Sequence, residues 1–118
     1  MSDEFITLAT KEILDHRTEI SNILNSCEND TDIFKKAVIL QKHTHGIKGL
    51  APMIGKKDLG SLSASLDMLL KKIMDGKQID GIFDILMESI LSMKTSEDDS
   101  HNDLNLTNNH IKDILSNL

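Results

Sequence analysis

Leu59-Gly60-Ser61-Leu62-Ser63-Ala64-Ser65-Leu66-Asp67-Met68-Leu69-Leu70-Lys71-Lys72-Ile73 is the stretch that decides the fold. Leu59, Leu62, Leu66, Leu69 and Ile73 recur at alternating steps of three and four, the spacing that lines one face of an α-helix. The seam predicts a helix over about 57–74. Asp75-Gly76 ends it, with Gly76 free to take the left-handed conformation that closes a helix.

The same period extends to both sides. Ile6, Ala9, Ile13, Ile20, Ile23, Leu24 and Cys27 predict a first helix over about 3–26, capped by Ser2 or Asp3 and broken at Glu28-Asn29-Asp30. Phe34, Ala37, Val38, Leu40, Thr44, Ile47, Ala51 and Ile54 predict a second over about 32–54, with Thr31 as its cap. Pro52 lacks a backbone donor and crowds the preceding turn, so a kink or end is expected after Lys48 to Ala51, with Gly55 closing the segment. Ile79, Ile82, Phe83, Leu86, Ile90 and Met93 predict a fourth helix over about 79–93. The acidic run from Lys94 to Asp103 reads as a mobile linker. Leu104, Thr107, Ile111, Leu115 and Leu118 form a weaker stripe, and a helix this short needs to dock on the bundle or on a partner. Short loops make neighbours antiparallel, so the expected fold is all-α: an up-down antiparallel four-helix bundle over 1–95, an acidic linker over 96–103 and an additional C-terminal helix over 104–118.

Composition agrees. At 118 residues the chain makes one domain. Aromatics are 3% and Trp and Tyr are absent, so Leu, Ile and Met must build the core, which suits helices better than strands. A net charge of −6 without a basic stripe argues against nucleic acid. Cys27 is alone, which excludes a disulfide framework and a Cys-based zinc site. No apolar run is long enough to cross a membrane, and Met1-Ser2-Asp3-Glu4 is no signal peptide, so no membrane contact and a cytoplasmic location are expected.

Inside the second helix lies His45-Gly46-Ile47-Lys48-Gly49. Lys48 and Gly49 are three and four residues after His45 and share its face. A neutral imidazole is a competent nucleophile near neutral pH. The ammonium can neutralise charge on a group attached to it, and a glycine leaves room for another protein to approach. Gly46 and Gly49 each cost about 0.5–1 kcal/mol relative to Ala within a helix, so side chains are excluded there for a reason, which helix packing can supply for one of them. Gln41 and Lys42 lie near the same face, and with Gly46 and Gly49 they make the expected partner-facing surface. His43 is two residues from His45 and points elsewhere. It reads as partly exposed, while His16, His101 and His110 read as surface residues without clustered partners. No metal site is therefore expected. No glycine-rich phosphate loop is present.

The string His45-Gly46-Ile47-Lys48-Gly49, followed by Leu50-Ala51-Pro52-Met53-Ile54-Gly55, resembles the signature of histidine phosphotransfer domains. It is most similar to the amino-terminal phosphotransfer domain of chemotaxis histidine kinases, the CheA family; hybrid sensor kinases carry related domains. Leu66-Asp67-Met68-Leu69-Leu70 and Ile82-Phe83-Asp84-Ile85-Leu86 look like that domain's third and fourth helices. The resemblance implies that His45 is the phosphoacceptor, that Lys48 stabilises the phosphoryl group, and that Asp67 stands where the family has a glutamate accepting from the imidazole. A second histidine of many such domains is Ala64 here. The implied partners are a histidine kinase catalytic domain and a response-regulator receiver domain. ATP and Mg²⁺ belong to those partners, so no cofactor is expected in this chain. The chain would be a phosphoryl carrier and not a kinase by itself: the first piece of a chemotaxis kinase, which a start at Met1 fits, or equally a free-standing carrier. Two other classes compete, a helical interaction module with an incidental His45 and a helical metal carrier.

Overall fold

The computed structural model describes residues 2–95 and 102–118. Among them the chain is all-helical: α1 (Asp3–Asn25), α2 (Asp30–Leu50), a short 3-10 helix (Ala51–Ile54), α3 (Lys57–Met74), α4 (Ile82–Thr95) and α5 (Asn102–Ser116). Residues 96–101, most of the expected linker and all of its claim to mobility, lie outside the described residues, as does His101. Asp103 belongs to α5, and Lys94 still belongs to α4.

Helix starts follow side-chain chemistry. Ser2 caps α1, its hydroxyl accepting from the Phe5 amide at 3.1 Å. The cap of α2 is Asn29 and not the expected Thr31. The Asn29 side chain accepts from the Asp32 amide at 3.1 Å, while Asp32 accepts from the Glu28 amide at 2.8 Å. This reciprocal pair satisfies two orphan donors at once, which a Thr31 cap would not.

Pro52 acts as expected. The α-helix stops at Leu50 and the chain tightens into the 3-10 turn, whose first positions need no proline N–H. Gly55, at φ 80°, reverses the chain and lets Lys56 donate to the Ala51 carbonyl at 2.9 Å. The proline ring packs on Gly60 of α3, where an added Cβ would stand 2.7 Å from Pro52 Cγ. That contact fixes the end of α2 against the start of α3.

The start of α4 lies three residues later than the sequence period suggested. Ile79 is buried, but it sits in the preceding turn. Asp30 explains this: its carboxylate accepts from the Gly81 amide at 2.9 Å and from the Phe83 amide at 2.8 Å, capping α4 from the start of α2. Gly81, at φ 84°, provides the turn that presents those amides.

One apolar cluster runs through all five helices. On α2 the buried side is Ile33, Ala37, Leu40, Thr44 and Ile47, continued by Ala51 of the 3-10 helix. Two expectations fail here: Ile33 is fully buried, and Val38 is 68% exposed. Ile6 and Leu118 are exposed as well. α2 and α3 make the most extensive helix pair, and α5 rests on α3 and α4. The α5 seam is half polar. Leu104 and Ile111 are buried beside Thr107 and Asn108, and Thr107 hydrogen-bonds Ser92 of α4.

Candidate functional site

His45 stands out from α2 with 61% of its side chain exposed, while the Asp67 carboxylate on α3 is 2% exposed. A buried carboxylate is costly unless donors converge on it, and three do, with the His45 ring beside them. Gln41 Nε2 donates to Asp67 Oδ1 at 2.6 Å. On Oδ2 converge Lys71 Nζ at 3.2 Å, Lys48 Nζ at 3.4 Å and His45 Nδ1 at 3.6 Å. Burial, the largest single influence, opposes ionisation of Asp67. The Gln41 hydrogen bond and the ammonium groups of Lys71 and Lys48 together outweigh it and hold the carboxyl below its usual range.

Asp67 is thus no solvated surface carboxylate. It faces Nδ1 of His45 at a distance that is long for a hydrogen bond and short for charge attraction. A proton on Nδ1 is favoured on that side, which leaves the Nε2 lone pair available.

Of the residues expected on the partner-facing surface, Lys42 is exposed and Gly49 is open, with nothing within 4 Å of an added Cβ. Gln41 instead turns toward Asp67. Gly46 faces α1, where a Cβ would stand 2.7 Å from His16 Cε1 and push the ring away. Its missing side chain is therefore a packing requirement. The two glycines give a contrast to test. Gly49→Ala should stabilise the chain by about 0.5–1 kcal/mol through helix propensity alone. Gly46→Ala should forfeit that gain by displacing His16; paired thermal melts decide it.

His16 corrects a second expectation. It has a partner: His16 Nδ1 meets His43 Nδ1 at 2.9 Å, with ring centroids 5.2 Å apart. Glu12, Asp15 and Glu19 line the same cleft. Desolvation first, and the charge of His16 second, push the His43 pKa down, with Lys42 adding to the effect and Glu19 opposing it. A lowered folded pKa means that the unfolded chain binds the proton more tightly. The His43 contribution to stability is then complete above the unfolded value of about 6.5 and is lost as pH falls through the lower folded value. Melting temperatures taken between about pH 5 and 7 should rise with pH, and His43→Asn should flatten that rise. A slope unchanged in the variant would assign the dependence to another group.

His110, also expected to lack a partner, pairs with Glu88 at 2.7 Å on the surface between α4 and α5. Cys27 is a buried free thiol. Among the described residues no group of three or more His, Cys, Asp or Glu is arranged to hold a metal ion. No described helix is long and apolar enough to cross a membrane.

Sequence reasoning missed Lys71 and the His16–His43 pair. Lys71 was within reach, since it is one helical turn after Asp67. The histidines are 27 residues apart and only the packing of α1 on α2 joins them.

No protein-family model matches the chain, and comparison with curated proteins and with solved structures finds no match.

Proposed function

We propose that this chain is a histidine phosphotransfer module of a two-component phosphorelay. The observation that carries the reading is an exposed imidazole whose Nδ1 faces a buried, ionised carboxylate flanked by ammonium groups. The up-down four-helix bundle, with α5 laid across α3 and α4, belongs to the same reading. So do a place in chemotaxis signalling as part of a CheA-type kinase and a cytoplasmic setting.

In this reading Nε2 of His45 attacks the terminal phosphorus of ATP held by a histidine kinase catalytic domain. The N–P bond forms as the bridging P–O bond breaks, and the departing ADP oxygen keeps the electron pair. The proton on Nδ1 stays between the ring and Asp67, where the carboxylate offsets the positive charge that develops on the imidazole. Lys48 turns one N–H toward the phosphoryl oxygens. In the second transfer an aspartate oxygen of a receiver domain attacks phosphorus, and the N–P electron pair returns to Nε2. Phosphoryl transfer asks the protein mainly for position and charge. ATP and Mg²⁺ come with the partner domains. The open helix face at Gly49, beside His45, gives the partner room to close on the ring.

The test is incubation with a histidine kinase catalytic domain and ATP labelled at the terminal phosphate, followed by addition of a receiver. Acid-labile, base-stable label that then leaves for the receiver is the expected result. A chain that takes no label from any such kinase would be a helical interaction module in which His45 is incidental.

A further inference from the structure

We infer that Lys71 is a second phosphoryl-binding cation, stored on Asp67 in the resting protein and released to the phosphoryl group when His45 is modified. The inference rests on His45 as the phosphoacceptor and adds a residue to that chemistry.

The argument starts from the crowding at one oxygen. A carboxylate oxygen offers two lone pairs. Asp67 Oδ1 is taken by Gln41, and Oδ2 faces Lys71, Lys48 and His45 Nδ1 together. The two ammonium groups meet those lone pairs, and Nδ1, at 3.6 Å, is held outside hydrogen-bond range. The charges are unbalanced, because two ammonium groups share a single carboxylate. A phosphoryl group on His45 brings close to two negative charges at neutral pH, which two nearby ammonium groups can meet. The ammonium groups are drawn toward the new anion.

Lys71 is suited to follow. Its side chain is 52% exposed, and its flexible stem starts from the solvent side of α3, one turn from Asp67. Lys71 and His45 meet the same carboxylate oxygen, so the ammonium already stands near the ring that would carry the group. Lys48 approaches from α2 and Lys71 from α3, so the phosphoryl group would be held from two helices.

The test uses phosphoramidate, a small donor that modifies histidine without a kinase. Lys71→Met keeps the stem and removes the charge; Lys71→Arg keeps the charge. Lys72→Met makes the same change in net charge at the next residue, which is exposed and makes no ion pair with Asp67. We expect labelling of His45 to slow about fivefold in Lys71→Met, the scale of one exposed charge pair. It should recover to within about twofold in Lys71→Arg and stay at the wild-type rate in Lys72→Met. Phosphorus NMR gives a readout that a structural role would not move. The second ionisation of the phosphoryl group should shift to higher pH in Lys71→Met alone. Equal rates and equal phosphorus titrations in Lys71→Met and Lys72→Met would overturn the inference while leaving His45 as acceptor. Failure of the wild-type chain to take label on His45 would remove both.

Discussion

His45→Gln is expected to lose all phosphorylation while keeping the helical fold. The ring is 61% exposed and makes no hydrogen bond shorter than its 3.6 Å approach to Asp67. Surface changes of this kind usually move stability by no more than about 0.5 kcal/mol. Gln retains a polar, flexible side chain of helical propensity but offers no nucleophilic nitrogen. The circular dichroism spectrum and melting temperature should match the wild type, and the labelled band should be absent. The other described histidines are poorly placed to substitute. His16 and His43 hold each other in the cleft between α1 and α2, and His110 is paired with Glu88. Label that survives the substitution would put the acceptor on one of these, and the proposed chemistry around Asp67 would fall with it.

The parts of the molecule that were readable from sequence are those set by local chemistry. The leucine seam of α3 fixes a helix whose ends, Lys57 and Met74, fall where the period and Asp75-Gly76 put them. Pro52 and Gly55 end α2 for reasons contained in two residues. The α2 stripe was only half readable. Val38 satisfies a helical period as well as Ile33 does, and only the neighbouring helices decide which of the two turns inward. The start of α4 was hidden for a similar reason. Ile79 continues the apolar period, but the helix waits for amides that Asp30, some fifty residues earlier, can cap.

The site divides in the same way. His45, Lys48 and Gly49 lie within one turn and a little more, so their common face was visible. Asp67 could be nominated, but its burial could not, because burial of a carboxylate depends on donors from other turns and helices. Gln41 and Lys71 are those donors. Gly46 looked like a companion of Gly49, yet it answers to His16 on α1. Spacing along a helix tells which residues share a face; it does not tell whether that face meets solvent or another helix.

Asp67→Ala should slow phosphorylation of His45 by about 10–100-fold, the scale on which losing the carboxylate partner of a histidine lowers activity at metal sites. The carboxylate draws the Nδ1 proton to its own side and so presents the Nε2 lone pair. Without it the proton can occupy either nitrogen and the ring can rotate. The positive charge that develops on attack also loses its nearest counter-charge. A stability signature should accompany the kinetic one. The folded pKa of Asp67 is lowered, so its contribution to stability is present above the unfolded value of about 3.9 and disappears as pH falls through the lower folded value. Acid unfolding of the wild type should therefore steepen below about pH 4, and Asp67→Ala should lack that component. At neutral pH the loss should be modest, about 1 kcal/mol, because Lys48 and Lys71 are each roughly half exposed and recover water when the carboxylate is gone. Labelling rates and acid titrations on the same two proteins separate the roles. A variant with normal labelling and an altered acid limb would make Asp67 an anchor between α2 and α3 with no part in the chemistry of His45.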